Sequence, residues 1–248
     1  MLALPFLIGV ILRARDLVLA WYLLPLFLFW VTGYFAFNAA SCWLKAPAQR
    51  RRALLRPLAT YGGTAAALGL LTLVVAGPAI LGWLPPYVLL VGAGLLLAAR
   101  RQERVLLGGA VTTAAAALMT LVARFTSPVD IAISWGSRTV TTALIVTGLV
   151  FGYLFGTVLY VKTMIRERGE LAWLNASVGW HAGLTVLTAV LAWSGQLGRA
   201  WPVFFLLTTL RSWLMPRWAR SRPIRPAVVG STEVAFSLLL LVAAVIPA

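Results

Sequence analysis

Apolar residues in this chain run in long blocks instead of alternating with polar ones. Nine blocks stand out: Leu2–Leu12, Val18–Ala40, Pro57–Ala76, Tyr87–Ala99, Val105–Ala123, Thr139–Met164, Leu174–Trp193, Trp201–Leu214 and Ala227–Ile246. Short segments carrying charge, glycine or proline separate them. A helix needs about 20 apolar residues to cross a hydrocarbon core of about 30 Å, and most of these blocks approach or reach that length. The pattern predicts an all-α, polytopic membrane helix bundle of about nine spans. Leu2–Leu12 is too short to cross, and it lacks the basic start and small-residue cleavage site of a signal peptide. It reads as the remaining part of a shortened first helix in a single integral-membrane domain covering residues 1–248. Pro57 is expected to open the third span, and Gly77-Pro78 with Pro85-Pro86 to mark a turn. The prolines of RSWLMPRWARSRPIRP, Arg211 to Pro226, are expected to forbid a continuous helix there.

Composition agrees with the blocks. The chain is 61% hydrophobic and only 11% charged, too little polarity to cover a water-soluble surface of this size. Its net charge of +15 would suggest nucleic acid in a soluble protein. Here the cations lie between spans, where orientation and lipid phosphates account for them, and nucleic acid is excluded as a partner. With Lys162 and Arg211, near the ends of spans six and eight, counted with the loops that follow them, sixteen of the 21 lysines and arginines fall at the connections after spans two, four, six and eight. That bias predicts a cytoplasmic N-terminus and an external C-terminus. Nineteen arginines to two lysines suit a GC-rich bacterial genome, hence a bacterial plasma membrane. The single cysteine, Cys42, gives neither a disulfide framework nor a cysteine-based metal site.

Candidate chemistry follows from depth. At 1.5 Å per residue, Asn38 lies about 10 Å below Lys45, and His181 and Glu233 lie similarly below the starts of their spans. Arg211 approaches the same layer from span eight. Four polar groups from four helices are thus expected to meet beneath the cytoplasmic face, and a buried ionisable group in a membrane marks a functional site by default. The plainer readings are that His181 hydrogen-bonds a neighbouring helix and that Glu233 neutralises Arg211. Glu233 and His181 are expected to lie close together.

The segment from Gly148 to His181 concentrates further signals. Gly148, Gly152 and Gly156 stand four residues apart on an apolar helix, where a neighbouring helix or a lipid tail can approach the backbone. Tyr153, Thr157 and Tyr160 add a polar-tipped stripe, and Lys162 and Arg166 extend it at i, i+4 spacing. A phosphate at Lys162, Arg166 and the Arg50–Arg56 cluster, with its tail along the glycines, would use both features. Orientation signalling explains the cations equally well, and helix packing the glycines. No Walker loop, dinucleotide fingerprint, His-Glu-x-x-His or nucleophile elbow is present, and no cofactor is implied.

GTVLYVKTMIRERG (Gly156–Gly169), followed by SVGWHA (Ser177–Ala182), together with LPFLIGV (Leu4–Val10), resembles the YwiC-like family of bacterial multipass membrane proteins. The resemblance implies a His-Gly-Ala-Trp element ahead of LPFLIGV, which would precede Met1, and it carries no established activity. More distantly, nine helices with active-site loops after helices two and six resemble the UbiA-type prenyltransferases, in which an asparagine and aspartates hold magnesium on a prenyl diphosphate. Asn38 fits the asparagine, but Ala39 and Cys42 occupy the expected aspartate positions. A magnesium site needs several hard oxygen ligands, so metal-dependent prenyl transfer is not expected. The remaining expectation is an inner-leaflet cavity for an isoprenoid, quinone-type or other anionic lipid, lined by Asn38, Tyr153, Tyr160, Lys162, Arg166, His181, Arg211 and Glu233. Alternative roles are a non-catalytic accessory protein of a larger complex and a small-solute transporter.

Overall fold

The structure, a computed structural model, describes residues 2–103, 105–221 and 224–246, all of whose regular elements are helical. Arg104, Arg222 and Pro223, used in the loop-charge and proline arguments, lie outside the described residues. In chain order the helices are α1 (Leu4–Ala14), α2 (Leu23–Lys45), α3 (Ala48–Ala76), α4 (Leu84–Ala99), α5 (Leu106–Arg124), α6 (Pro128–Ile133), α7 (Arg138–Val161), α8 (Leu171–Trp193), α9 (Ala200–Ser221) and α10 (Pro226–Val245). A 3-10 turn over Pro78–Trp83 leads into α4, and a π-helical turn over Lys162–Arg166 ends α7.

Among the described residues, seven segments are long and apolar enough to cross a membrane: α2, α3, α5, α8, α10, Pro78–Ala99 and Arg138–Arg166. The count of about nine is therefore approximate. The two remaining blocks became α1, with 11 residues, and α9, whose 22 residues include Arg211, Pro216 and Arg217. The chain divides into two compact units, Leu2–Ala143 and the residues from Leu144 onward.

In the first unit α1 is buried despite its shortness, with Leu4, Phe6, Ile8 and Leu12 in the core. Gly9 lets it approach α5 closely: a Cβ there would stand 2.4 Å from the Thr120 carbonyl oxygen and 2.7 Å from the Ala123 Cβ. Its end is tied down by polar contacts. Arg13 Nη1 donates to the Tyr22 hydroxyl at 3.0 Å and the Arg124 carbonyl at 3.1 Å, and Arg124 Nη2 donates to Asp16 Oδ2 at 2.7 Å. α2 packs along α3 and α4 through aromatic-on-glycine contacts, Phe29 against Gly69 and Phe37 against Gly94. Lys45 at the end of α2 donates to both Glu103 carboxylate oxygens at 2.7 Å.

In the second unit α8 packs along α9 and meets α7 at two glycines. A Cβ at Gly152 would meet the Leu184 side chain at 2.9 Å, and one at Gly156 would meet His181 Nε2 at 2.8 Å. Trp180 Nε1 also donates to the Gly152 carbonyl at 2.8 Å. Two of the three stripe glycines thus admit side chains of α8, and Gly148 faces open space.

Two sequence expectations are corrected by helix ends, those for Pro57 and for Pro85-Pro86, and a third is refined. α3 begins at Ala48 and carries Pro57 inside it. Proline removes the donor that the Ala53 carbonyl would use. Ala53 is exposed, so that carbonyl can be satisfied from outside the chain. α9 runs through Pro216 as far as Ser221, as membrane helices tolerate where neighbours satisfy the freed group, but Ile224 and Arg225 are not helical, so Arg211–Pro226 is not one continuous helix, as its prolines predict. Pro85 and Pro86 lie in the first turn of α4, where a missing N–H breaks no helical bond. The loop between α5 and α7 contains α6, started by a capping box in which Ser127 Oγ accepts from Val129 N and Asp130 Oδ2 accepts from Ser127 N.

Candidate functional site

Within the second unit, α7, α9 and α10 bring Tyr153, Tyr160, Arg211 and Glu233 together, the last two from near the C-terminal half of α9 and the N-terminal half of α10. Arg211 Nη1 stands 2.7 Å from Glu233 Oε1, and both side chains are almost fully enclosed, 3% and 8% exposed. The pairing follows from chemistry: neither charge can be buried among apolar helices without the other. The guanidinium lies between two rings, 4.2 Å from the Tyr160 centroid and 4.4 Å from that of Phe236. Such stacking suits the flat, weakly hydrated guanidinium.

Glu233 divides its two oxygens. Oε2 accepts from the Thr157 hydroxyl at 3.0 Å and, more loosely, from the Tyr153 hydroxyl at 3.4 Å. Ser237, one turn on in α10, donates to the Glu233 carbonyl at 2.8 Å and lies 3.4 Å from the Tyr153 hydroxyl. Oε1 faces only Arg211, and there the short separation is misdirected. No guanidinium N–H points at the oxygen, so Oε1 and Arg211 Nε, Nη1 and Nη2 all lack a hydrogen bond among the described residues. An ion pair without hydrogen bonds leaves several strong donors buried and unused, a condition native proteins seldom leave unexplained.

Tyr160 links this cluster to the turn beyond it. Its hydroxyl donates to Met215 Sδ at 3.0 Å, and its ring packs with Met164, Ala219 and Val229. The π-helical turn begins two residues later, a geometry that recurs at functional sites.

His181 is fully buried, with Nδ1 2.7 Å from the Ser177 carbonyl of its own helix. A carbonyl only accepts, so Nδ1 carries the proton and Nε2 is a lone-pair acceptor, closed in by Gly156. No hydrogen bond joins His181 to Glu233 among the described residues. Lys162 is engaged locally: Nζ is 3.5 Å from the Trp173 ring centroid and 3.7 Å from Glu167 Oε1. Arg166 is exposed, and Arg168 donates to the Ala219 carbonyl. In the first unit Asn38 is exposed on α2, Arg51 lies over the Trp43 ring at 5.2 Å, and Arg50, Arg52 and Arg56 are exposed on the first turns of α3.

Sequence reasoning missed Phe236 and Ser237, though both had a signal, standing three and four residues after the intramembrane glutamate on one helix face. It also missed Met215 as the partner of Tyr160, for which no periodicity gives a cue. Nor did the sequence offer a cue to the network of Arg13, Asp16, Tyr22 and Arg124.

The YwiC-like protein family model matches residues 1–124, half of the chain. Of the three segments that carry the resemblance, LPFLIGV falls within the match, while the cluster around Arg211 lies outside it. Neither a curated protein nor a solved structure matches the chain. With its membrane-length helices and this match, the chain is a multipass membrane protein in contact with lipid and belongs to the YwiC-like family.

Proposed function

We propose that this membrane protein holds the anionic headgroup of an isoprenoid lipid at Arg211, without a metal ion, in the inner leaflet of a bacterial plasma membrane. The observation that carries the reading is the buried guanidinium itself, with no hydrogen bond at any nitrogen among the described residues and a carboxylate beside it in poor register. A phosphate oxygen can accept two guanidinium donors in the planar geometry that Glu233 does not reach. Tyr160 and Phe236 hold the cation flat, and Glu233, kept by Thr157 and Tyr153, is the group such a phosphate would displace. The hydrocarbon tail would lie in the bilayer along the exposed apolar side chains of α9 and α10, such as Leu207, Leu210, Val234 and Leu238. The glycine stripe is less suited to the tail, because α8 covers Gly152 and Gly156. An N-terminus inside and C-terminus outside, as the loop charges favour, puts Arg211 near the cytoplasmic face.

The test is binding to the purified protein in detergent, read by native mass spectrometry or calorimetry. The probes are farnesyl monophosphate, farnesol, a short-chain quinone and inorganic phosphate. Farnesyl monophosphate should bind at least about tenfold more tightly than each of the others, since charge-assisted hydrogen bonds contribute about 1.5–3 kcal/mol each. Arg211→Gln/Glu233→Gln, which removes both charges together, should remove that preference. Equal binding of farnesol or the quinone would overturn the phosphate assignment. Tight inorganic phosphate would replace the lipid by a free anion, and no binding at all would favour an accessory role.

A further inference from the structure

We infer that occupation of Arg211 by an anionic headgroup is coupled to the uptake of one proton by Glu233. This rests on the reading above and adds a proton to its stoichiometry. Without ligand the two side chains cancel each other's charge at 2.7 Å. A headgroup that bonds to the guanidinium must break that ion pair, and it brings an anionic oxygen against Oε1, the carboxylate oxygen that has no hydrogen-bond donor. Two negative oxygens then face each other in a water-poor interior, where repulsion is poorly screened.

Among the described residues, no cation other than Arg211 is paired with Glu233. From α7, Glu233 meets Tyr153 and Thr157, both neutral hydroxyls and both directed at Oε2. Tyr160 on the same helix faces Arg211 and donates to Met215, while Lys162 is turned to Glu167 and Trp173. α9 contributes Arg211, and α10 contributes Ser237 to the Glu233 backbone. From α8, His181 spends its N–H on the Ser177 carbonyl.

A proton from bulk water resolves the conflict. One O–H bond forms at Glu233 Oε1, the solvent loses one proton, and no electrons move. The new hydroxyl donates to the headgroup oxygen, while Oε2 keeps its two hydroxyl donors. With a monoanionic headgroup the buried cluster stays neutral, because the negative charge has passed from the carboxylate to the ligand. Glu233 thereby becomes a second recognition group, and headgroup exchange moves one proton into or out of the membrane interior.

The probe must not titrate near neutrality, so a farnesyl methyl phosphodiester is used in place of the monoester. Calorimetry on the whole protein in detergent, in buffers of differing ionisation enthalpy, counts the protons taken up on binding. About one per ligand is expected. Independently, affinity should fall as the pH is raised, since binding consumes a proton. Glu233→Gln should bind the diester with no uptake and a flat profile. If that variant fails to fold, the parent's proton count and pH profile decide alone. Binding by the parent with no uptake and no pH dependence overturns the coupling while leaving the Arg211 site standing. The same uptake in Glu233→Gln also overturns it, and no binding of either farnesyl ester removes both.

Discussion

Each unit buries one arginine against one carboxylate, and the two pairs are built differently. Arg124 is enclosed, but its partner Asp16 is 43% exposed, and the 2.7 Å contact is a proper hydrogen bond. Thr139 donates to the same Asp16 oxygen, and the Arg124 carbonyl receives Arg13. Arg211 and Glu233 are both enclosed, their 2.7 Å contact is misdirected, and two aromatic rings do the rest of the holding. The first pair behaves as a strap between α1 and α5 with one end in solvent. The second keeps a strong cation dry and incompletely bonded, which a structural strap does not require. The contrast teaches that burial and charge alone do not describe such a pair: the state of the hydrogen bonds separates the two.

The largest effect that could break this contrast is on stability. Glu233→Leu leaves a guanidinium buried with no counter-charge, at a cost of about 3–5 kcal/mol. Asp16→Asn keeps an acceptor beside Arg124 and affects a half-exposed carboxylate, so about 1 kcal/mol is expected. Denaturant unfolding in a fixed detergent, followed by tryptophan fluorescence, reads both. If Asp16→Asn were the more damaging, the pair at Asp16 would be the more tightly built, and the contrast would fall.

Next in size is Gly9→Ala, the contact on which the strap depends. The obstacle to a Cβ at Gly9 is the Thr120 backbone carbonyl, which cannot swing aside, whereas at Gly156 it is the tip of the His181 ring. Overpacking costs about 1–3 kcal/mol, and Gly9→Ala should fall at the upper end. Gly156→Ala should cost less, and it should be partly relieved by adding His181→Ala. A Gly9→Ala protein of parental stability would mean that α1 does not rest on α5 as described.

Much of this was legible in the sequence, for reasons that also mark where legibility stops. The long apolar blocks became helices because nothing else satisfies a backbone in lipid. Glu233 and Arg211 could be paired in advance because neither could be buried alone among apolar residues. Asp16 and Arg124 could not, since both read as residues at helix ends and 108 positions separate them. Pro57 misled, and Pro216 did not end α9, because a proline weakens a helix without having to end it. Lys162 turned to Trp173 through a loop whose turn depends on Gly169, with φ +93°, a conformation that spacing arguments do not anticipate.

The smallest predicted effect sharpens the comparison most for function, because it separates the buried arginine from the cations around it. Lys162 is engaged with a ring and a carboxylate, and Arg166 is exposed, so neither offers the dry donors that Arg211 does. Neutralising both to Gln while adding a lysine elsewhere in the same connection keeps the orientation signal constant. The loss in stability should be about 0.5–1 kcal/mol, that of one partly exposed cation–π contact. Affinity for farnesyl monophosphate should stay within about twofold of the parent, or about 0.4 kcal/mol. The Arg211→Gln/Glu233→Gln protein should by then have lost its preference altogether. If the surface variant lost affinity by about tenfold or more, the headgroup would sit at the surface cations Lys162 and Arg166. The misaligned pair at Arg211 would then be a second strap, and the distinction between the two regions would be one of solvent access alone.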